Sequence, residues 1–200
     1  RLYYLLSCSI FFSTNFQQPT DYRNCAWVTP FIIHPKKPNV IFYGAKDIFI
    51  SLDRGDSWKN YSTNLTQNDN VGGGFIWHMA VSKSNPDSVL YACSYVKLYK
   101  TQDGGKTWND ITSNLPTSAG CLSCAALSDI CIHPENPDIV WISFSGYTND
   151  THVYQTTNGG KTWINVSGTL PSIPINTMVY DEINKGTLYI GTDMGVFFKD

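Results

Sequence analysis

The residues of this chain whose types and spacing could do chemistry fall into four groups. Cys121 and Cys124 form a C-x-x-C, which is half of a zinc site or a redox pair. Asp129 and His78, with Asp69, Asp87, Glu135, Asp138 and Glu182, supply the acids and imidazole from which a general acid–base pair could be drawn. Glycosidic bond cleavage needs two such carboxylates facing each other across a substrate. Arg54-Gly55-Asp56 is the tripeptide by which some extracellular proteins engage integrins, and Gly72–Gly74 is glycine-rich in the manner of a phosphate loop.

Their surroundings thin this set. No second C-x-x-C and no histidine pair at ligand spacing accompanies Cys121 and Cys124, so structural disulfides are favoured and no metal is expected. No Lys-Ser/Thr follows the glycines, which leaves a phosphate loop unsupported. A net charge of −2 without a Lys/Arg cluster gives no footprint for nucleic acid or an acidic membrane surface, and no membrane insertion or cofactor is expected. Four sequons, at Asn60, Asn64, Asn149 and Asn165, and six cysteines, Cys8, Cys25, Cys93, Cys121, Cys124 and Cys131, together favour a secreted, oxidised, glycosylated chain. Cys8 is expected to pair with Cys25, and the rest of the connectivity stays open. The opening RLYYLLSCSIFF reads either as the tail of a signal peptide or as part of the repeat that follows.

The elements that must position these residues repeat. SLDRGDSW (51–58), TQDGGKTW (101–108) and TTNGGKTW (156–163) share the form Ser/Thr-x-Asp/Asn-x-Gly-x-Ser/Thr-Trp. IIHPKKPNVIFYG (32–44), AVSKSNPDSVLYA (80–92), CIHPENPDIVWIS (131–143) and VYDEINKGTLYIG (179–191) recur in step with it. Each unit alternates short β-branched and aromatic runs with turn residues, and four antiparallel strands per unit is the size of a β-propeller blade.

Each fixed residue of the box has a physical reason. Asp53, Asp103 and Asn158 can accept hydrogen bonds from backbone N–H groups about two residues on. Gly55, Gly105 and Gly160 supply a positive φ. Ser57, Thr107 and Thr162 close the turn with a hydroxyl, and Trp58, Trp108 and Trp163 pin the hairpin to the blade. Arg54 and Asp56 occupy positions that read Gly104/Lys106 and Gly159/Lys161 in the other copies, so the integrin-like tripeptide is a by-product of the turn.

At these boxes the sequence resembles the Asp-box (BNR-repeat) β-propellers, closest to their sortilin-like and xyloglucanase-like branches. The resemblance implies an all-β chain of four-stranded blades with box turns remote from any active site. It places blades at about 28–70, 71–118 and 119–170, with partial blades at 1–27 and 171–200, all in one β-propeller region over 1–200. Three good boxes and a degenerate one, FFSTNFQQPTDY (11–22), cover nearly the whole chain. Such propellers close with more blades than these, which implies a fragment of a longer chain or a unit completed by neighbours. A sialidase-like site would need an arginine triad, and Arg1, Arg23 and Arg54 do not provide one.

Aligning the blades puts Pro30, His78, Asp129 and Thr177 at one position, the start of the innermost strand, where propellers commonly hold ligands. Trp77, His78 and Asp129 are the candidate ligand-binding residues, and Asp129 is the one candidate acid. Glu135, Glu182, Asp87 and Asp138 read as turn formers, and His34 and His133, each before a proline at the same repeat position, suit a turn hydrogen bond better than metal ligation. The favoured function is a non-catalytic extracellular scaffold or binding module, within a larger or polymeric glycoprotein assembly, whose partner is a protein, a glycan or copies of itself. Two alternatives stand beside it: a fragment of a xyloglucanase-like glycoside hydrolase, and a sortilin-like peptide receptor.

Overall fold

A computed structural model describes residues 3–6, 9–12, 25–26, 28–69, 73–116, 126–147 and 151–199, and they hold strands and turns without an α-helix. A hairpin of β1 (Tyr3–Leu6) and β2 (Ser9–Phe12) comes first. Three four-stranded antiparallel sheets follow in simple up-and-down order. The first holds β3 (Phe31–Ile33), β4 (Ile41–Gly44), β5 (Ile48–Ser51) and β6 (Lys59–Asn60). The second holds β7 (His78–Val81), β8 (Leu90–Cys93), β9 (Leu98–Thr101) and β10 (Asn109–Asp110). The third holds β11 (Ala126–Ile132), β12 (Val140–Ser145), β13 (Val153–Thr156) and β14 (Ile164–Asn165). A three-stranded sheet of β15 (Ile175–Tyr180), β16 (Leu188–Thr192) and β17 (Gly195–Lys199) ends the array.

The sheets stack face to face like blades, with β3, β7, β11 and β15 adjacent in turn along the inner edge. Strand alternation makes this possible, because residues i and i+2 face one neighbouring blade and i+1 the other. Phe42, Ile48 and Ile50 therefore pack against Leu90 and Ala92 of the second blade. Tyr91, Val89 and Leu98 pack against Val140, Ile142 and Phe144 of the third, and Trp141 and Val153 against Leu188 and Ile190 of the fourth. Each fully buried side chain of this kind stabilises by ~1.5–3 kcal/mol, so the seams between blades carry the core. The outermost strands β6, β10 and β14 are only two residues long and exposed, which limits the free edge available to a stray strand.

The boxes join the third and fourth strands of each blade. In the first, Asp53 Oδ1 accepts from Ser57 N at 2.8 Å, Asp53 Oδ2 from Ser57 Oγ at 2.5 Å, and Gly55 N donates to Ser51 Oγ at 2.6 Å. Asp103 with Thr107 and Thr101, and Asn158 with Thr162 and Thr156, repeat the pattern. The acceptor thus reaches four residues on instead of two. Paired positive-φ residues curl the chain back far enough: Arg54 (64°) and Gly55 (86°), Gly104 (72°) and Gly105 (84°), Gly159 (71°) and Gly160 (91°).

The box tryptophans differ from expectation in one respect: two of them pin blade to blade. Trp108 Nε1 donates to Tyr61 O of the preceding blade at 3.3 Å, and Trp163 Nε1 to Ile111 O at 3.2 Å. Trp58 packs on Tyr43, and its indole nitrogen finds no acceptor among the described residues.

The expectation that every cysteine is disulfide-bonded fails for Cys93 and Cys131, which are buried free thiols. They point into different seams, Cys93 toward the third blade and Cys131 toward the fourth, so apolar neighbours surround each sulfur. Burial pushes the Cys131 thiol up to about 11 and the Cys93 thiol higher still. Cys25 is disulfide-bonded. Cys8, Cys121 and Cys124, the sequon at Asn149 and nearly all of the degenerate box lie outside the described residues, and so the Cys8–Cys25 pairing does too.

Candidate functional site at the inner rim

The register confirms the aligned ring position. His78 pairs with Cys93, Asp129 with Ser143 and Thr177 with Gly191, while Pro30 O accepts from Gly44 N at 3.0 Å. β-Bulges at Ser128 and Asn176, between Leu127/Asp129 and Ile175/Thr177, precede two of these residues and re-aim their side chains. Ser128 Oγ and Ser143 Oγ share a hydrogen bond at 2.9 Å that fixes the first bulge.

Asp129 lies on the same side of β11 as Cys131 and faces the fourth blade. Its Oδ2 accepts from Met178 N at 2.7 Å and from Thr177 Oγ1 at 3.0 Å, and its Oδ1 accepts from Ile130 N at 2.8 Å. The carboxylate is therefore a clasp between the inner strands of two blades. His78 faces the third blade in the same sense. Burial lowers its pKa from 6.5, and the Asp129 charge opposes that only in part, so the imidazole is neutral beside an anion. Trp77 N donates to Cys93 O at 2.8 Å, and its ring meets Tyr95 edge-on at 5.9 Å. Trp77, His78 and Asp129 thus occupy one rim, where Asp129 reaches the next blade and the Trp77 ring packs on Tyr95 of its own blade.

On the same face lies a polar cleft of about 420 Å³ lined by Lys46, Asp47, Asn64, Thr66, Asp69 and Gly74, among others. Asp47 organises it, accepting from Ser62 Oγ at 2.8 Å, Leu65 N at 2.9 Å and Asn64 N at 3.0 Å. Asp69 is buried and accepts from Ser94 Oγ. Sequence reasoning missed Asp47, because its place in the repeat holds no second carboxylate that would mark it.

The opposite face carries the turns. His34 Nδ1 accepts from Lys36 N at 3.1 Å, and His133 Nδ1 from Glu135 N and Asn136 N, each at 3.2 Å, as turn acceptors should. Glu135 pairs with Lys185 at 2.6 Å and Asp138 with Lys100 at 2.8 Å; Glu182 pairs with Lys83 and Asp87 with Lys37. All four pairs link one blade to another, and none of these acids approaches the inner rim as a partner for Asp129. Among the described residues no cluster of three or more His, Cys, Asp or Glu could hold a metal.

The sequons at Asn60 and Asn165 sit on the exposed outer strands β6 and β14. The second blade has Asp110-Ile-Thr112 at the same place. Asn165 Oδ1 accepts from Ser167 N at 2.9 Å, as Asp110 Oδ1 does from Thr112 N at 3.0 Å, and the Ser62 and Ser167 hydroxyls are buried. The Asx-x-Ser/Thr pattern thus ends the outer strand whether or not it carries a glycan. Asn64 is exposed in the connection after β6, with φ of 56°.

Repeated four-stranded blades, shared box turns and a rim of first-strand residues define a box-bearing β-propeller. A family profile described as "Sortilin, neurotensin receptor 3", Sortilin-Vps10, matches residues 46–173, and the chain belongs to that family. It is 24% identical over 164 residues to a protein of Neosartorya fischeri named "Probable oligoxyloglucan-reducing end-specific xyloglucanase", covering 78% of this chain and 19% of that one. It is 28% identical over 170 residues to a xyloglucanase of a Paenibacillus species, covering 74% of this chain and 16% of that protein. The crystal structure of a GH74 enzyme from Niastella koreensis superimposes with a TM-score of 0.65 at 19% identity, over 82% of this chain and 26% of that one. The chain therefore spans less than a fifth of the curated relatives it matches.

Proposed function

We propose that this chain is part of an extracellular, glycosylated β-propeller that binds a protein, a glycan or copies of itself and does not catalyse. The observation that carries this reading is the use of Asp129. The one carboxylate at the ring position is held by the backbone and hydroxyl of the next blade. A glycosidase needs an acid and a base or nucleophile, each free to face the sugar. Trp77, His78 and Asp129 then form a binding rim, and the family description, which names a receptor, fits a peptide or protein ligand. The occupied sequons would be Asn60, Asn64, Asn149 and Asn165, with glycans on β6 and β14 shielding the blade edges. No helix of the described residues is long and apolar enough to cross a membrane.

A second reading has its own support: both relatives by sequence are named xyloglucanases, so the chain would be a piece of a hydrolase whose other carboxylate lies elsewhere. The deciding assay is reducing-end release from a xyloglucan and β-glucan panel. No release is expected. Release that disappears in Asp129→Asn would make the hydrolase reading the correct one.

A further inference from the structure

The chain's one Asn-Gly step is Asn158-Gly159, in the third box. The fold demands the glycine: its φ is 71°, and a Cβ on it would stand 2.5 Å from Asp138 Oδ1 and closer still to the buried Lys100 Nζ. It does not demand the asparagine, since Asp53 and Asp103 serve at the same position in the other two boxes. The third box thus joins an amide side chain to a residue without a Cβ, the pair in which the next backbone nitrogen reaches the asparagine Cγ with least hindrance.

Asn158 is exposed, so water and hydroxide reach it, yet the atoms such a reaction needs are engaged. Oδ1 accepts from Thr162 N at 3.0 Å and from Thr156 Oγ1 at 2.9 Å, and Nδ2, the group that would leave, donates to Thr162 Oγ1 at 2.8 Å. These bonds aim the side chain across the turn, toward Thr162. Gly159 N, the nucleophile, donates to Asp138 O at 2.9 Å, and Gly159 O accepts from Lys100 Nζ at 3.3 Å, so the residue is pinned through both its backbone groups. Loss of the N–H proton leaves the reactive lone pair where the proton was, pointing at Asp138 O and not at Asn158 Cγ. Reaction therefore requires the box to open first.

We propose that Asn158 is a deamidation site that the folded box holds silent and that opening of the β13–β14 turn releases. In the opened turn Gly159 N, its proton lost to hydroxide, bonds to Asn158 Cγ; the Cγ–Nδ2 bond breaks, and Nδ2 leaves as ammonia with a proton from water. A further water opens the cyclic imide. Breaking the new N–Cγ bond gives aspartate, and breaking the original peptide bond gives isoaspartate, whose main chain runs through Cγ. Aspartate is the residue of the first two boxes, where Asp103 Oδ2 accepts from Thr107 Oγ1 at 2.7 Å, so this product closes the box again with a charge it lacked. Isoaspartate lengthens the main chain by a methylene and takes the acceptor away from Thr162, so the box stays open and Trp163 loses its bond to Ile111 O. The inference is independent of whether the propeller binds or catalyses.

The test holds the purified chain in mildly alkaline buffer, folded and in guanidinium chloride, beside the synthetic peptide TTNGGKTWINVS of residues 156–167. Peptide mapping with mass spectrometry follows aspartate and isoaspartate at position 158. The peptide and the unfolded chain should react at similar rates, and the folded chain more than about tenfold more slowly. Thr162→Val removes the acceptor of Nδ2 and keeps the shape of the side chain; it should react faster than wild type while still folded by circular dichroism. A folded chain that keeps pace with the peptide overturns the protection, and so does a chain that stays equally slow when unfolded. An unchanged rate in Thr162→Val overturns the assignment of that protection to the box, and a peptide that does not deamidate removes the site. Asn158→Asp should match wild type in urea midpoint, and a large loss there would overturn the claim that aspartate closes the box.

Discussion

Trp163→Ala should be among the most damaging single changes in the chain, and the structure gives its size. The indole is 8% exposed among Val140, Ile142 and Leu98 in the seam between the second and third blades. Truncating a buried tryptophan to alanine costs ~3–5 kcal/mol through lost transfer energy and the cavity left behind. Loss of the bond to Ile111 O leaves a carbonyl short of a donor and adds ~1 kcal/mol, which places the total near the top of that range. A domain has only ~5–15 kcal/mol in all, so the variant should be close to unfolding. Trp58→Ala is the control, since that indole is half-buried and has no acceptor among the described residues; it should cost about 2–3 kcal/mol. Trp163→Phe keeps most of the packing and loses the hydrogen bond, so it should fall between wild type and Trp163→Ala. Urea unfolding followed by far-ultraviolet circular dichroism measures all three without relying on the fluorescence the mutations remove. Equal losses for Trp58→Ala and Trp163→Ala, or a Trp163→Phe protein as stable as wild type, would refute the view that these tryptophans hold one blade to the next.

The remaining expectations concern the first box and acid. Arg54→Gly should raise stability by roughly 0.5 kcal/mol. Relief of a positive φ worth ~1 kcal/mol in a residue with a Cβ outweighs the greater freedom of glycine in the unfolded chain, and integrin-dependent cell adhesion should not change. Stability should fall as pH drops below 6.5, because burial lowers the pKa of His34 and His78 and the fold therefore favours their neutral forms. A second loss should follow between pH 3.8 and about 2, where Asp103, held down by the N–H and hydroxyl of Thr107, takes up its proton. Asp103→Asn should flatten that second fall, since Asn158 makes the same turn without a charge. Urea midpoints across pH test both, and an unchanged acid limb in Asp103→Asn would contradict the second.

The box, its spacing and the ring alignment were legible in the sequence because they are local. A turn that binds its own backbone must name its acceptor, its glycine and its hydroxyl within eight positions, and the repeat shows which are fixed. The destinations of side chains across a seam were not legible. Nothing in TTNGGKTW says that Trp163 donates to Ile111 O of another blade, and nothing around Cys93 or Cys131 distinguishes a buried thiol from a disulfide half. Asp129 is the same case. Its type and position suggested an acid at a ligand rim, while its partners, Thr177 and Met178, belong to a strand nearly 50 residues on and emerge only when blades are stacked. Lys100 gave no signal at all, yet it is buried between Asp138 and the face of Tyr91, with Nζ 5.1 Å from the ring centre.

The stability of Asp129→Asn tests the central claim most directly. A residue placed for catalysis is commonly neutral or a burden to the fold, so replacing it leaves stability unchanged or improved. A clasp behaves in the opposite way. Exchanging the carboxylate for an amide leaves a weaker, neutral acceptor for Met178 N and Thr177 Oγ1 and sets an NH2 where Oδ1 accepted from Ile130 N, which should cost ~1.5–3 kcal/mol, read as a lower urea midpoint with an unchanged slope. An Asp129→Asn protein as stable as wild type, or more stable, would contradict the assignment of Asp129 to the joint between blades and return it to the candidates for catalysis.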